Sequence, residues 1–153
     1  MSAGEAPSTP PDRDEIEALI FEYARRIDDG DFDGIGELFA HGAVTTLDGT
    51  VLAEGAEAVA GLYAATTKRY EDGTPRSHHV TTNVVVRVDG DEATAQSYFT
   101  VFQATDGVPL QPIVTGRYED RFDRGDGGWR FARRAMDLRL VGDVSRHLLI
   151  DLP

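Results

Sequence analysis

Two adjacent histidines, His78 and His79, are the side chains of this sequence best suited to acid/base chemistry. They begin a run with the alternating pattern of a β-strand, and Asp28 lies upstream at the end of the first predicted helix. Because successive side chains of a strand point to opposite faces, only one histidine can face the interior. Imidazole titrates near neutral pH, so an interior histidine that meets Asp28 would form an acid/base pair.

The position of Asp28 on its helix indicates that its carboxyl group faces the interior. At about 100° per residue it falls beside Phe21 and Ala24, within the apolar side of the helix. A buried carboxylate needs a partner, which an imidazole N–H can supply, and the other ring nitrogen would then remain as a base. Such a base contributes about 10² to 10⁴-fold in rate, enough to eliminate water next to an activating carbonyl group.

The strand that begins at the histidine pair gives conflicting indications of its buried face. His79 shares a face with Thr81, Asn83 and Val85, whereas the opposite face is richer in valine: Val80, Thr82, Val84, Val86 and Val88. Either the valines pack under the helices while His79 faces a cavity, or a bulge near Thr81 and Thr82 shifts the alternation. We favour the first arrangement and expect His78 to be exposed.

The composition narrows the class of partner. The chain has 153 residues, enough for one domain with a core, and its net charge of -12 disfavours nucleic acid and anionic membranes. It has no cysteine and no apolar run of membrane-spanning length. We therefore expect a cytoplasmic protein that binds a small hydrophobic molecule.

The order of predicted elements indicates an α+β fold. Helical periodicity covers about residues 13–29, a shorter segment after Asp31, and residues 55–70, with a hairpin around Asp48 and Gly49 in between. Strand patterns then cover residues 78–88, 92–104, 111–123 and 129–141. We predict a curved mixed or antiparallel sheet against three N-terminal helices, with a disordered leader at residues 1–11. The apolar tail, residues 142–153, should pack on the domain or on a neighbouring subunit.

Several sequence fragments together resemble a known family. They are YARRIDDGDFD at residues 23–33, Glu37-Leu38-Phe39, His79-x-x-x-Asn83, Val88-Asp89-Gly90-Asp91, Gly116-Arg117-Tyr118 and Gly128-Trp129-Arg130-Phe131. Over residues 12–141 the chain resembles a SnoaL-like protein of the nuclear-transport-factor-2 superfamily, closest to the branch with scytalone dehydratase, dehydrochlorinase and bile-acid dehydratase. The resemblance implies a cone-shaped sheet, closed by helices over an apolar pocket.

The resemblance also implies roles for individual residues. His79 corresponds to the base and Asp28 to its orienting acid, Tyr23 to a tyrosine that contacts substrate, and Arg134 to an arginine that assists the leaving group. We further predict that the pocket wall contains Asn83, Tyr63, Phe99, Phe102 and Met136. No metal site is expected, because adjacent histidines on a strand diverge.

The leading functional prediction is a cofactor-independent lyase or isomerase of the dehydratase type. Its substrate would be a hydrophobic cyclic compound such as a polyketide, a steroid or an aromatic. A polyketide cyclase, or a binding or accessory subunit without chemistry, remains an alternative. A homo-oligomer is expected, with a dimer and a trimer both open.

Overall fold

The computed structural model describes residues 11–152, and the predicted leader lies outside these residues apart from Pro11. Within this range the chain forms three helices and six strands. Two short strands lie between the second and third helices, and four long strands follow the third helix. The helices are α1 (Asp12–Asp28), α2 (Phe32–Leu38) and α3 (Ala56–Thr66), and the strands are β1 (Ala43–Thr45), β2 (Val51–Glu54), β3 (Ser77–Asp89), β4 (Glu92–Thr105), β5 (Val108–Gly125) and β6 (Gly128–Val141). No helix within the described residues is both long and apolar enough to cross a membrane.

All six strands described by the structure belong to one curved sheet in the order β2-β1-β6-β5-β4-β3. The long strands β3 to β6 are antiparallel neighbours, whereas β1 runs parallel to β6. The predicted α+β fold, with a mixed curved sheet and three helices, is confirmed.

The helices cover the concave side of the sheet with their apolar side chains. Helix α1 buries Ile16, Ile20, Tyr23 and Ile27, at the three- and four-residue spacing of a helix face. Asp31 caps α2 as its position suggested, since its carboxylate accepts a hydrogen bond from the Gly34 N–H at 2.9 Å. This packing leaves the C-terminal end of α1 beside the first residues of β3.

Helix α3 ends four residues earlier than the predicted end at residue 70. Thr67 is already extended, with φ -114° and ψ 126°, and it forms a β-bridge with Leu148 of the C-terminal tail. The backbone N–H of Lys68 then donates to the His147 carbonyl at 2.8 Å. Contacts with a distant segment, which the local sequence pattern does not reveal, therefore end the helix.

A β-bulge in β3 resolves the conflict between its two faces. The register with β4 shifts between Thr82 and Val85, and Asn83 adopts a positive φ of 55°. Before the bulge His79 faces inward, opposite the buried Val101, and after it Val84 and Val86 pack on the core. The arrangement that we favoured from the sequence, without a bulge, is wrong, and the alternative with a bulge is the one observed.

Candidate functional site

Asp28 and His79 form a hydrogen-bonded pair where the end of α1 meets the start of β3. The His79 Nδ1 lies 2.6 Å from the Asp28 Oδ1, and the backbone N–H of His79 donates to Oδ2 at 2.8 Å. The Ser77 hydroxyl donates to Oδ1 at 2.9 Å. The side chains of His79 and Asp28 are only 6% and 20% exposed. The carboxylate therefore fixes both the backbone and the ring of His79.

The state of the Asp28 carboxyl group determines the tautomer of His79. Burial alone would raise the pKa of Asp28, but the hydrogen bonds from His79 and Ser77 outweigh burial and lower its pKa below the ordinary value. An ionised carboxylate only accepts hydrogen bonds, so the Nδ1 of His79 carries the proton toward Asp28. In a neutral ring the Nε2 is then unprotonated and able to accept a proton.

His79 forms part of the wall of an apolar cavity of about 320 Å³, called the inner cavity below. The cavity lies between the concave side of the sheet, helices α1 and α3, and the tail. Of the predicted pocket residues, Tyr63, Phe99 and Met136 line it, together with Tyr23, Ile27, Leu62, Val101, Val114, Tyr118, His147 and further side chains of β1, β2 and the tail. This volume and wall suit a small, mainly apolar ligand.

Two of the polar side chains that line the inner cavity are the tyrosines Tyr23 and Tyr63. The hydroxyls of Tyr23 and Tyr63 are hydrogen-bonded to each other, and both residues are buried. Burial raises the pKa of both phenols, so they stay protonated at neutral pH. Two hydroxyls carry two protons and their mutual bond uses one, so one proton remains for a ligand oxygen.

Arg134, predicted to assist the leaving group, is enclosed beneath the tyrosines and does not line the inner cavity. It is 0% exposed and forms a bidentate pair with Asp120, with Nε–Oδ1 and Nη2–Oδ2 distances of 2.8 and 2.9 Å. Its guanidinium carbon lies 4.2 Å from the ring centroid of Tyr23 and 3.7 Å from that of Tyr118. Any influence of Arg134 on a ligand would therefore pass through these rings.

Asn83 and Phe102 lie away from the inner cavity, which differs from the predicted pocket wall. Asn83 is exposed at the β3 bulge, where its positive φ suits asparagine better than most residues. Phe102 is the register partner of the exposed His78 and so occupies the outer face, while Val101 and Gln103 on either side are buried. Strand alternation explains the position of Phe102.

Two residues that were not predicted from the sequence complete the site. Ser77, the third donor to Asp28, could have been found from its two-residue spacing from His79, which places both on one face of β3. His147 lies in the tail and reaches the cavity wall, with its ring centroid 6.1 Å from that of His79. Its only signal in the sequence is a histidine beside Leu148, Leu149 and Ile150.

Solved structures from several bacteria have the same fold. An NTF2-like protein with a cystatin-like fold from Novosphingobium aromaticivorans is 29% identical, with a TM-score of 0.70 and 88% of this chain and 86% of that one covered. A function-unknown protein from Mycobacterium tuberculosis is 31% identical, with a TM-score of 0.65 and coverages of 82% and 75%. A proposed scytalone dehydratase from N. aromaticivorans, at 23% identity, a TM-score of 0.66 and 86% of both chains, shows similarity of fold alone.

Family membership follows from the sequence itself. No curated protein matches the chain significantly. The SnoaL-like domain profile, however, matches residues 9–135, which include α1, the Asp28 and His79 pair and most of the sheet. The protein is therefore a member of the SnoaL-like domain family, within the NTF2-like superfamily.

Proposed function

We propose that the protein is a cofactor-independent lyase or isomerase that acts on a hydrophobic cyclic ketone, with His79 as the base and Asp28 as the group that orients it. The observation that carries the proposal is the 2.6 Å contact between Asp28 and the Nδ1 of a histidine that lines the inner cavity. This contact leaves Nε2 as the proton acceptor, and the carboxylate stabilises the imidazolium that forms.

The tyrosine pair supports a carbonyl substrate. Removing a proton from the carbon next to a carbonyl group places negative charge on the carbonyl oxygen. The free hydroxyl proton of the Tyr23 and Tyr63 pair can donate to that oxygen in a cavity with mainly apolar walls, where such a hydrogen bond is stronger than in water. The wall of the inner cavity therefore carries both a base and a hydrogen-bond donor for the enolate oxygen.

In a dehydration the atoms balance without a further reagent. The Nε2 of His79 takes the α-proton, the C–H electrons form the enolate, and the enolate collapses to a C=C bond as the β-hydroxyl leaves. The imidazolium returns its proton to the departing oxygen, which gives water and neutral His79. In an isomerisation the same imidazolium would return the proton to carbon.

A binding or accessory subunit remains the alternative from another class. It would be favoured by a dyad too widely separated to hydrogen-bond or by a cavity filled with side chains. The 2.6 Å contact and the open cavity of about 320 Å³ favour the catalytic proposal instead.

Two simple compounds test the proposal. 1-Tetralone reports proton abstraction through deuterium exchange at its α-carbon, followed by NMR in D₂O, and 3-hydroxy-1-tetralone reports dehydration through the appearance of 1-naphthol. We expect the wild-type protein to catalyse the exchange and His79→Ala to lose about 10² to 10⁴-fold of that rate, the usual contribution of a positioned base.

His78→Ala is the matched control, since it removes the adjacent, exposed imidazole on the opposite face of β3. It should retain wild-type exchange. Equal rates for the His79→Ala variant and the wild-type protein, with both folded by circular dichroism, would reject the dyad.

A further inference from the structure

The C-terminal tail forms one side of the inner cavity. Its backbone is held by hydrogen bonds from the Lys68 N–H to the His147 carbonyl at 2.8 Å and from the Leu149 N–H to the Thr66 carbonyl at 2.9 Å. The Gln103 side-chain amide also donates to the Arg146 carbonyl at 3.0 Å. These contacts fix the tail against the end of α3 and β4, with His147 directed at the cavity.

The imidazole of His147 is not needed to hold the tail. Its backbone N–H donates to the Val144 carbonyl at 3.0 Å and its carbonyl accepts from Lys68, but its buried Nδ1 has no hydrogen-bond partner among residues 11–152. The residue is 5% exposed. An unpaired buried polar atom is unfavourable, and a leucine would fill a similar space without one. Tail packing therefore does not explain why an imidazole stands here.

The surroundings of His147 indicate which ligand group it suits. Burial, assisted by the neighbouring His79 and opposed by Asp28, lowers the pKa of His147 to about 4, so the ring is neutral at pH 7. A neutral imidazole can donate or accept one hydrogen bond per nitrogen. The nearby Asp28 carboxylate disfavours an anion in the same space, so an uncharged oxygen is the better partner.

We infer that His147 determines ligand specificity: its imidazole hydrogen-bonds an uncharged hydroxyl or carbonyl oxygen of the ligand beside His79. The inference rests on the proposed function only in that both histidines face one ligand cavity. The family profile ends at residue 135, so His147 lies outside the segment that defines the family. The tail is thus proposed as a recognition element that lies outside the matched segment.

A pair of matched probes, 2-naphthol and naphthalene, tests the inference without turnover, because they differ by one hydroxyl group. We expect wild-type protein to bind 2-naphthol about tenfold more tightly than naphthalene, the effect of one hydrogen bond, in calorimetric or fluorescence titrations. His147→Leu should lose that preference while binding naphthalene as well as before. His147→Gln should restore part of the preference, and a ¹⁵N imidazole spectrum should shift at His147 with 2-naphthol only.

His78→Leu is the matched control, since it makes the same chemical change outside the cavity, and it should keep the wild-type preference. An unchanged preference in His147→Leu, no preference in the wild type, or no binding of either probe would overturn the inference. Failure of the proposed function is distinct: it would appear as absent exchange of 1-tetralone while the probe preference still depends on His147.

Discussion

Two carboxylate pairs within residues 11–152 differ in their access to the inner cavity: Asp120 with Arg134 is fully buried, whereas Asp28 with His79 is only partly buried. Asp120 and Arg134 are both 0% exposed, joined by two parallel hydrogen bonds and enclosed by aromatic rings. Burial would lower the pKa of Arg134, but the Asp120 carboxylate outweighs it and raises the pKa, so the guanidinium stays charged. In the other pair, His79 lines the inner cavity, and one of its imidazole nitrogens points away from the Asp28 carboxylate.

This difference separates a structural role from a chemical one. A guanidinium that remains charged cannot exchange protons with a ligand, whereas an imidazole with an unprotonated nitrogen can accept one. We therefore propose that Arg134 positions the rings of Tyr23 and Tyr118, and that His79 carries the chemistry. Breaking either pair should affect a different property.

The largest effect is expected when Arg134 is removed. Arg134→Met leaves the Asp120 carboxylate buried without its partner and should lower the free energy of unfolding by about 3–5 kcal/mol, measured by urea denaturation. The double variant Arg134→Met with Asp120→Leu should recover most of that loss. Unchanged stability with reduced dehydration of 3-hydroxy-1-tetralone would instead assign Arg134 a direct role on the substrate.

Asp28→Asn should break the other pair and lower activity rather than stability. The amide N–H₂ would face Nδ1 and favour the His79 tautomer with a proton on Nε2, which cannot act as a base. We expect kcat/KM for 1-tetralone exchange to fall about 100-fold, equivalent to about 2.7 kcal/mol. Asp29→Asn, an exposed neighbour, is the control. A loss of stability as large as that of Arg134→Met would remove the contrast between the pairs.

Acidification should weaken the packing of the tail through His147. Its pKa is about 4 in the folded protein and 6.5 as the ordinary value, so the unfolded state binds the proton between these values. The contribution of His147 to stability is complete above pH 6.5 and is lost as pH falls toward 4. Near pH 5 the loss should be about 2 kcal/mol relative to pH 7.5.

The His147→Leu variant, compared with the wild type, isolates this effect, because it keeps His79 and Asp28, the other titratable groups that face the ring. Urea unfolding of both proteins at the two pH values should show the excess acid sensitivity only in the wild type. Parallel pH profiles for the two proteins would show that His147 is protonated without disturbing the tail.

The smallest effect is expected for Ser77→Ala. The change removes one of the hydrogen bonds to Asp28 and should cost about 1 kcal/mol of stability. It should also raise the pKa of Asp28, so that the stabilisation from this carboxylate, present above its ordinary pKa, is lost at a higher pH on acidification. A ¹³C carboxyl titration measures the shift. Ser97→Ala is the control, since the buried Ser97 hydroxyl has no partner within residues 11–152.

Periodicity and turn residues were enough to predict the α+β fold, because helix and strand faces repeat locally along the chain. The alternation of side chains along β3 did not by itself predict that His79 points inward. The bulge at Asn83 changes which side chains face the core, and it has no distinctive local sequence pattern. The enclosure of Arg134 depends on Asp120 of the neighbouring strand, and the place of His147 depends on where the tail returns. Both are long-range contacts that a one-dimensional pattern does not contain.

The bulge in β3 makes the two halves of one strand independent targets for engineering. The register shifts between Thr82 and Val85, so inward side chains before the bulge face the cavity and those after it pack on the core. Substitutions in the two halves therefore alter different parts of the protein. Deleting Asn83 would remove the bulge, and the inward side chains of one half of the strand would then point outward. The cavity side of the strand, where His79 lies, can therefore be altered without repacking Val84 and Val86.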